Sequence, residues 1–209
     1  MLHRIRKNYQ QNELREENVK PDPLEQFRLW QNEAIAGNEN EPTAMVLSTV
    51  DGQNRPVARV VLLKELDFRG FVFFTNYNSA KARHIFANRF ASLTFFWPGL
   101  ERQVRVEGSI EKVSESQSDD YFASRPVESQ LGAWASPQSQ IIGSKEELYT
   151  NFSKYKEKFG ETIPRPPHWG GYRVVPQRIE FWQGRPNRLH DRICYQLKNE
   201  SWKIMRLAP

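Results

Sequence analysis

Apolar residues recur at two different spacings along this 209-residue chain, and the change of period divides it. Leu24, Phe27, Trp30 and Ala34 fall three or four residues apart, the stripe of an amphipathic helix. Asp22 is placed to cap that helix, Pro23 suits its first position, Glu25 completes a capping box and Gly37 is the stop. From Thr43 the period falls to two. Thr43–Val50 and Val57–Lys64, joined by a turn at Asp51-Gly52, read as a hairpin. Phe71–Thr75, Ser92–Trp97 and Arg102–Val113 continue the strand pattern, around a short helix at Lys81–Asn88. Helical signals return at Ser114–Ser124, where Ser114 and Gln117 can form a second capping box, then after Pro126 and over Glu146–Phe159. Ile163-Pro164-Arg165-Pro166-Pro167 is a rigid extended connector, and Tyr172–Gln183, Arg192–Leu197 and Trp202–Leu207 are closing strands. Short strands in succession, rather than strands alternating with helices, predict a mostly β fold, a closed antiparallel barrel. Residues 1–20 are charged and expected to be flexible, which leaves 21–209 as a single domain.

Composition narrows the picture. A hydrophobic share of 38% with 12% aromatics supports a proper core rather than disorder. The one cysteine, Cys194, excludes an intrachain disulfide and reads as a small apolar strand residue in a reducing compartment. Met1 to Gln11 is polar and basic, without the apolar stretch of a signal peptide, and no apolar run reaches the roughly 20 residues that cross a bilayer. The expected location is the cytoplasm, with no membrane partner. A net charge of +5 suits nucleic acid, an anionic surface or phosphorylated small molecules, but the basic residues are spread along the chain, against a dedicated nucleic-acid tail. The nucleotide cradles of the GxGxxG and P-loop types are missing, as is a GxSxG elbow. The four histidines, His3, His84, His168 and His190, lack zinc spacing, so no metal is expected.

The chemistry concentrates in a few runs. Arg188-Leu189-His190-Asp191-Arg192 gathers three cationic or potentially cationic groups and one carboxylate between strands, costly unless an anion or polar ligand uses them. Arg59-Val60-Val61-Leu62-Leu63-Lys64 is an apolar strand with basic ends. At Phe73-Phe74-Thr75-Asn76-Tyr77-Asn78-Ser79-Ala80-Lys81 a strand hands over to a helix, whose first amides favour phosphate. Tyr121 and Arg125 lie four apart on one helix face, and Pro126 can turn Ser129 back toward them.

Taken with Ile179-Glu180-Phe181-Trp182-Gln183-Gly184 and the ending Arg206-Leu207-Ala208-Pro209, these runs resemble the pyridoxamine (pyridoxine) 5′-phosphate oxidases, in order and over nearly the whole chain from Arg6. The resemblance implies a split antiparallel β-barrel of the flavin mononucleotide (FMN)-binding type with surrounding helices, working as a homodimer with FMN between subunits. It implies oxidation of pyridoxamine or pyridoxine 5′-phosphate to pyridoxal 5′-phosphate, with dioxygen reduced to hydrogen peroxide. Carried over, Arg59, Thr75 and Lys81 hold the flavin phosphate. Val60, Val61, Leu62, Leu63, Lys64, Phe74, Gln103, Gln138, Ser139, Trp182 and Arg192 are further flavin contacts. Lys64, Tyr121, Arg125 and Ser129 clamp the substrate phosphate, with Arg6 and Tyr9 in an N-terminal lid. Arg188 and His190 hold the pyridine ring and are the catalytic pair. Two features stand against the pattern. Ala80 occupies a position where the family commonly has arginine, and Arg59 and Lys64 have opposite parity in a strand, which a subunit-interface site or a bulge would reconcile. A non-catalytic flavin barrel would need neither the 121–129 clamp nor the 188–190 pair. A basic nucleic-acid barrel would carry no flavin.

Overall fold

The computed structural model describes residues 2–4 and 7–209; Arg6 of the expected lid lies outside them. Helix α1 (Pro23–Ala36) starts where expected: the Asp22 carboxylate accepts from the Leu24 N–H at 2.7 Å, and the Gly37 N–H closes the end on Glu33. Its apolar stripe plugs the inside of a curled antiparallel sheet. Phe27 is fully buried, 4.8 Å from both Phe71 and Phe95, while Trp30 meets Phe181 edge-on at 5.2 Å. Edge-to-face contacts of this kind are worth about 0.5–1.5 kcal/mol each beyond the area they bury.

The sheet comprises β1 (Ala44–Val50), β2 (Pro56–Leu62), β3 (Glu65–Asp67), β4 (Gly70–Asn76), β5 (Phe90–Trp97), β6 (Arg102–Lys112), β7 (Trp169–Gln183), β8 (Asp191–Lys198) and β9 (Ser201–Arg206). Its order is β2-β1-β5-β6-β7-β4-β3, with β8 added on β7 and β9 on β8. The long β7 makes the barrel split. Its first half pairs β4 and its second half pairs β8, and a register shift at Glu107/Gly108 in β6 marks the change. Gly108 is required there, because a Cβ would lie 2.0 Å from the Val175 carbonyl oxygen. Around this sheet lie α2 (Ala80–Ala87), α3 (Glu115–Ala123), α4 (Val127–Ala135) and α5 (Lys145–Phe159). No helix among the described residues is long and apolar enough to cross a membrane.

The opposite parity of Arg59 and Lys64 is kept in the structure: β2 ends at Leu62, but its alternation of burial runs on through Lys64, and the two side chains lie on opposite faces. Leu63 and Lys64 form the corner where the sheet curls on itself: the Leu63 N–H donates to Thr43 O and the Lys64 N–H to Val72 O in β4. Leu63 enters the core while Lys64 faces out, as the alternation of β2 requires. The hairpin turn is longer than Asp51-Gly52, running from Asp51 to Arg55 with Asn54 at positive φ. Neither capping box is complete: Ser114 receives the Gln117 N–H, but the Gln117 side chain is drawn to Glu65 and Arg173 instead. Among the described residues Glu25 makes no return bond to the Asp22 amide.

Residues 7–20 form a strap across the barrel. The Gln10 and Gln11 amides donate to buried Glu101, the Leu14 amide donates to Asp191, and the Leu14 side chain is buried in the core.

Candidate active site

The end of β2, the β4–α2 junction, α3 and the start of β7 enclose a cleft of about 350 Å³. Lys64, Lys81 and Arg125 line it, and among the described residues no carboxylate does. Three cations around one concavity without a counter-charge repel one another and lose hydration, so the arrangement favours an anionic occupant.

On one side, Lys81 is half-buried on the first turn of α2. Its ammonium donates to Gln138 Oε1 at 2.9 Å, Thr75 Oγ1 at 3.1 Å and Ser79 Oγ at 3.3 Å. Burial, and secondly nearby Arg59, push its pKa below the ordinary lysine value. Arg59 itself does not line the cleft: its guanidinium turns onto β1, donating to Leu47 O at 3.0 Å and Thr49 Oγ1 at 2.7 Å. Thr49 in turn contacts His84 Nδ1 on α2 at 3.1 Å. Burial lowers the Arg59 pKa, and among the described residues no acid neutralises it. This corner therefore concentrates two cations beside a helix start, a setting suited to a phosphate. Ala80 adds no charge there.

On the other side, Tyr121 stacks on Phe74 at 4.0 Å, and Phe74 stacks on Trp169 at 5.5 Å, giving an aromatic shelf. Arg125 lies over this shelf, 4.7 Å from the Trp169 ring centre and 5.5 Å from that of Phe122. Its Nη1 is buried and has no hydrogen-bond partner among the described residues. Burial lowers the Arg125 pKa, and burial raises that of Tyr121 despite opposition from Arg125, so the phenol stays a donor. A buried guanidinium nitrogen left unpaired costs about 1–3 kcal/mol or more. An unmet cost of this kind makes Arg125 a candidate ligand contact. The Lys64 ammonium, exposed at the rim, also lacks a partner among the described residues.

The C-terminal run builds a second depression, lined by Lys7, Asn8, Tyr9, Arg185, Asn187, Arg188 and His190. Here the His190 and Trp182 rings lie 4.7 Å apart, and Tyr9 meets both edge-on at 5.7 and 5.6 Å. Gly184 makes room for this ring, since a Cβ at 184 would lie 2.7 Å from Tyr9. Gln103 is paired across from Trp182 in the sheet. Arg188 is exposed, without a side-chain partner among the described residues, and held with Asn187 at positive φ (62° and 57°). Two consecutive non-glycine residues there are strained, a feature that clusters at functional sites. His190 Nδ1 accepts the Arg185 N–H at 3.0 Å, which leaves the proton of the neutral ring on Nε2.

The expected site residues thus divide into two groups that line separate surfaces of one chain. Val60, Val61, Leu62, Lys64, Phe74, Thr75, Lys81, Tyr121, Arg125 and Gln138 share the cleft; Tyr9, Arg188 and His190 share the depression, with Trp182 packed against it. Others lie apart. The Ser129 side chain is one turn before Gly132 and Ala133, which line the cleft, and Ser139 is exposed beyond it. Arg192 is taken up by Glu180 at 2.9 Å and by Ala208 O at 2.8 Å, outside both surfaces. Trp169, Asn76 and Ser136 line the cleft without having been singled out. Trp169 had a readable signal, an aromatic two residues after the proline-rich connector.

A split barrel with a cation-rich, acid-free cleft beside a helix start defines a protein class built to bind phosphorylated ligands. Comparison with known sequences makes this specific. The family model described as pyridoxamine 5′-phosphate oxidase matches residues 32–159. The model for the pyridoxine 5′-phosphate oxidase C-terminal dimerisation region matches residues 169–209. The chain belongs to the pyridoxamine 5′-phosphate oxidase family. Pyridoxine/pyridoxamine 5′-phosphate oxidases of Actinobacillus pleuropneumoniae and Gloeothece citriformis are 56% and 54% identical to it, over 100% and 98% of this chain and 99% and 97% of theirs. Among solved structures, PhzG from Burkholderia lata, in complex with tetrahydrophenazine-1-carboxylic acid, is similar with a TM-score of 0.88 and 29% identity. That match covers 92% of this chain and 95% of the other. A pyridoxamine 5′-phosphate oxidase-related, FMN-binding protein of Nostoc punctiforme shares the fold at 16% identity and a TM-score of 0.73, covering 91% and 100%.

Proposed function

We propose that the chain is an FMN-dependent oxidase converting pyridoxamine or pyridoxine 5′-phosphate to pyridoxal 5′-phosphate, with dioxygen as acceptor. The observation that carries this reading is Arg125, which lines the same cleft as Lys81 and whose buried Nη1 has no hydrogen-bond partner among the described residues. Two phosphates need two separate cationic corners, and one cleft offers both. Lys81, Thr75 and Gln138, with Arg59 behind them, would hold the FMN phosphate, and Val60 to Leu62 would lie along its ring. Lys64, Tyr121 and Arg125 would hold the phosphate of the substrate. Bound there, FMN supplies the two-electron acceptor that side chains lack.

The protein's own contribution is placement and electrostatics. Arg125 donates to the substrate phosphate, Tyr121 adds a hydroxyl donor, and the Phe74–Tyr121–Trp169 shelf keeps water from beneath them. Arg188 is planar and permanently charged, so it can lie against a pyridine ring. His190 can give its Nε2 proton to a ring oxygen. Because these two residues lie apart from the cleft within one chain, the reading requires a homodimer, in which the depression of one protomer covers the cleft of its partner. The exposed apolar face of Val46, Val60, Leu62 and Phe96, and the match of residues 169–209 to a dimerisation region, support that arrangement.

The test is purification followed by assay: a yellow protein with flavin absorption bands should consume oxygen and release hydrogen peroxide when given pyridoxamine 5′-phosphate. A colourless protein that neither takes up FMN nor turns over would overturn the reading. Lys81→Ala should purify largely without FMN and bind it about 10- to 150-fold more weakly, the loss of one charge-assisted hydrogen bond of about 1.5–3 kcal/mol. Fluorescence titration with FMN checks this; unchanged affinity would remove Lys81 from the phosphate corner.

The His190 pKa is lowered, by burial first and Arg188 second, with Asp191 opposing. Its ring is therefore neutral at pH 7, and protonation below the ordinary value of 6.5 would displace the Arg185 N–H from Nδ1. Catalytic efficiency should accordingly be level near pH 7 and fall as pH drops below that value. An NMR titration of His190 with its midpoint above 6.5 would contradict this.

A further inference from the structure

We infer that Arg165, in the proline-rich connector, is a positioning residue for phosphate recognition, bracing the Arg125 guanidinium through α3 and Trp169; this rests on the substrate-phosphate reading of Arg125 given above. The Arg125 side chain has no hydrogen bond among the described residues, so two things set its place: the end of α3 from which it emerges and the Trp169 ring beneath it. Arg165 grips both. Its Nε donates to Asp119 on α3 at 2.6 Å, its Nη2 pairs with Glu115 one turn earlier on the same helix, and its Nη1 donates to the Trp169 carbonyl at 2.6 Å. Every nitrogen of the guanidinium is engaged, and its side chain is only 11% exposed.

The connector that carries Arg165 is pinned in turn. The Trp134 indole N–H of α4 donates to Pro164 O at 2.7 Å, and the Trp169 N–H donates to Pro166 O at 3.0 Å. Prolines 164, 166 and 167 restrict the backbone on either side of Arg165, so the fork is held in a stiff frame. The brace thus sets the spacing between the helix bearing Tyr121 and the shelf below Arg125. Only a planar fork can reach three acceptors in different directions. A lysine keeps the charge but satisfies them one at a time.

The experiment uses full-length, FMN-loaded protein and compares wild type with Arg165→Lys, Asp119→Asn and Arg125→Ala. Arg165→Lys should raise both the KM for pyridoxamine 5′-phosphate and the Kd for pyridoxal 5′-phosphate at least tenfold, with the Kd read from quenching of flavin fluorescence. Its kcat and FMN affinity should stay within twofold, and its turnover of unphosphorylated pyridoxamine should not change. A merely structural role would instead lower FMN and product binding together, or leave both untouched. Asp119→Asn removes one contact at a carboxylate that is 57% exposed, so it keeps the fold even where the arginine change does not. It should raise the same two constants about threefold or more, in line with the loss of one modest ion pair. If Arg125→Ala raises them and both brace variants stay within twofold of wild type, the inference is overturned. If Arg125→Ala itself leaves them unchanged, the phosphate reading of Arg125 fails, and the brace with it.

Discussion

Arg125→Ala is expected to raise the KM for pyridoxamine 5′-phosphate by about 100-fold or more while the protein keeps its FMN and its fold. Hydrogen bonds from a charged donor contribute about 1.5–3 kcal/mol each, and a guanidinium presents two to a phosphate, so a loss of about 3 kcal/mol is a modest expectation. Each 1.4 kcal/mol is a factor of about ten. The same substitution should leave thermal stability unchanged or raise it, because Nη1 is buried with no partner among the described residues. Stability and affinity moving in opposite directions is the signature of a group kept for its ligand. Steady-state kinetics and a melting curve on the same sample check both halves. A KM within threefold of wild type, or a fall of many degrees in Tm, would assign Arg125 to the structure instead.

Arg188→Gly is expected to lose catalytic efficiency by about 100-fold or more, since misplacing a bound reactant by about 1 Å can cost that much. Glycine is the informative choice at this position. Arg188 has φ 62°, where a residue with a Cβ is strained by about 1–2 kcal/mol, so the glycine variant should fold at least as well as wild type. Its flavin content should be normal, because Arg188 lines the depression and not the cleft with Lys81. His190→Ala should retain flavin as well and lose less, since a hydrogen bond to a ring oxygen is more replaceable than a planar cation against the ring. Stopped-flow reduction of the bound flavin by pyridoxamine 5′-phosphate separates these steps from oxygen chemistry. Wild-type reduction in both variants would leave the 188–192 run as a charged turn.

Most elements were legible because burial is periodic. The stripe Leu24, Phe27, Trp30 and Ala34 is the face of α1 that enters the barrel, and each long strand falls within a few residues of its period-two run. β3 was missed because three residues are too short to show a period. The hold on residues 7–20 was invisible for a different reason: Glu101 and Asp191, which receive their amides, are about 90 and 177 positions away in sequence. The polar site was legible through its motifs but not through its geometry. Arg59-Val60-Val61-Leu62-Leu63-Lys64 shows by parity that its basic ends face opposite ways, but not that one turns onto β1 and the other reaches the cleft rim. Nor does local sequence say that Arg192 is spent on Glu180 while Arg188 has no side-chain partner among the described residues. The division of the site between two surfaces of one chain is a property of topology, because β7 carries Trp169 at one end and Trp182 near the other.

The central claim is that this cleft reads a phosphate on a B6 vitamer in order to oxidise it. Oxygen uptake by the FMN-loaded protein, measured side by side with pyridoxamine 5′-phosphate and with unphosphorylated pyridoxamine, tests it most directly. The expected kcat/KM ratio is at least about 100, the equivalent of roughly 2.7 kcal/mol of transition-state stabilisation from the phosphate contacts. Comparable efficiency with both compounds would contradict it.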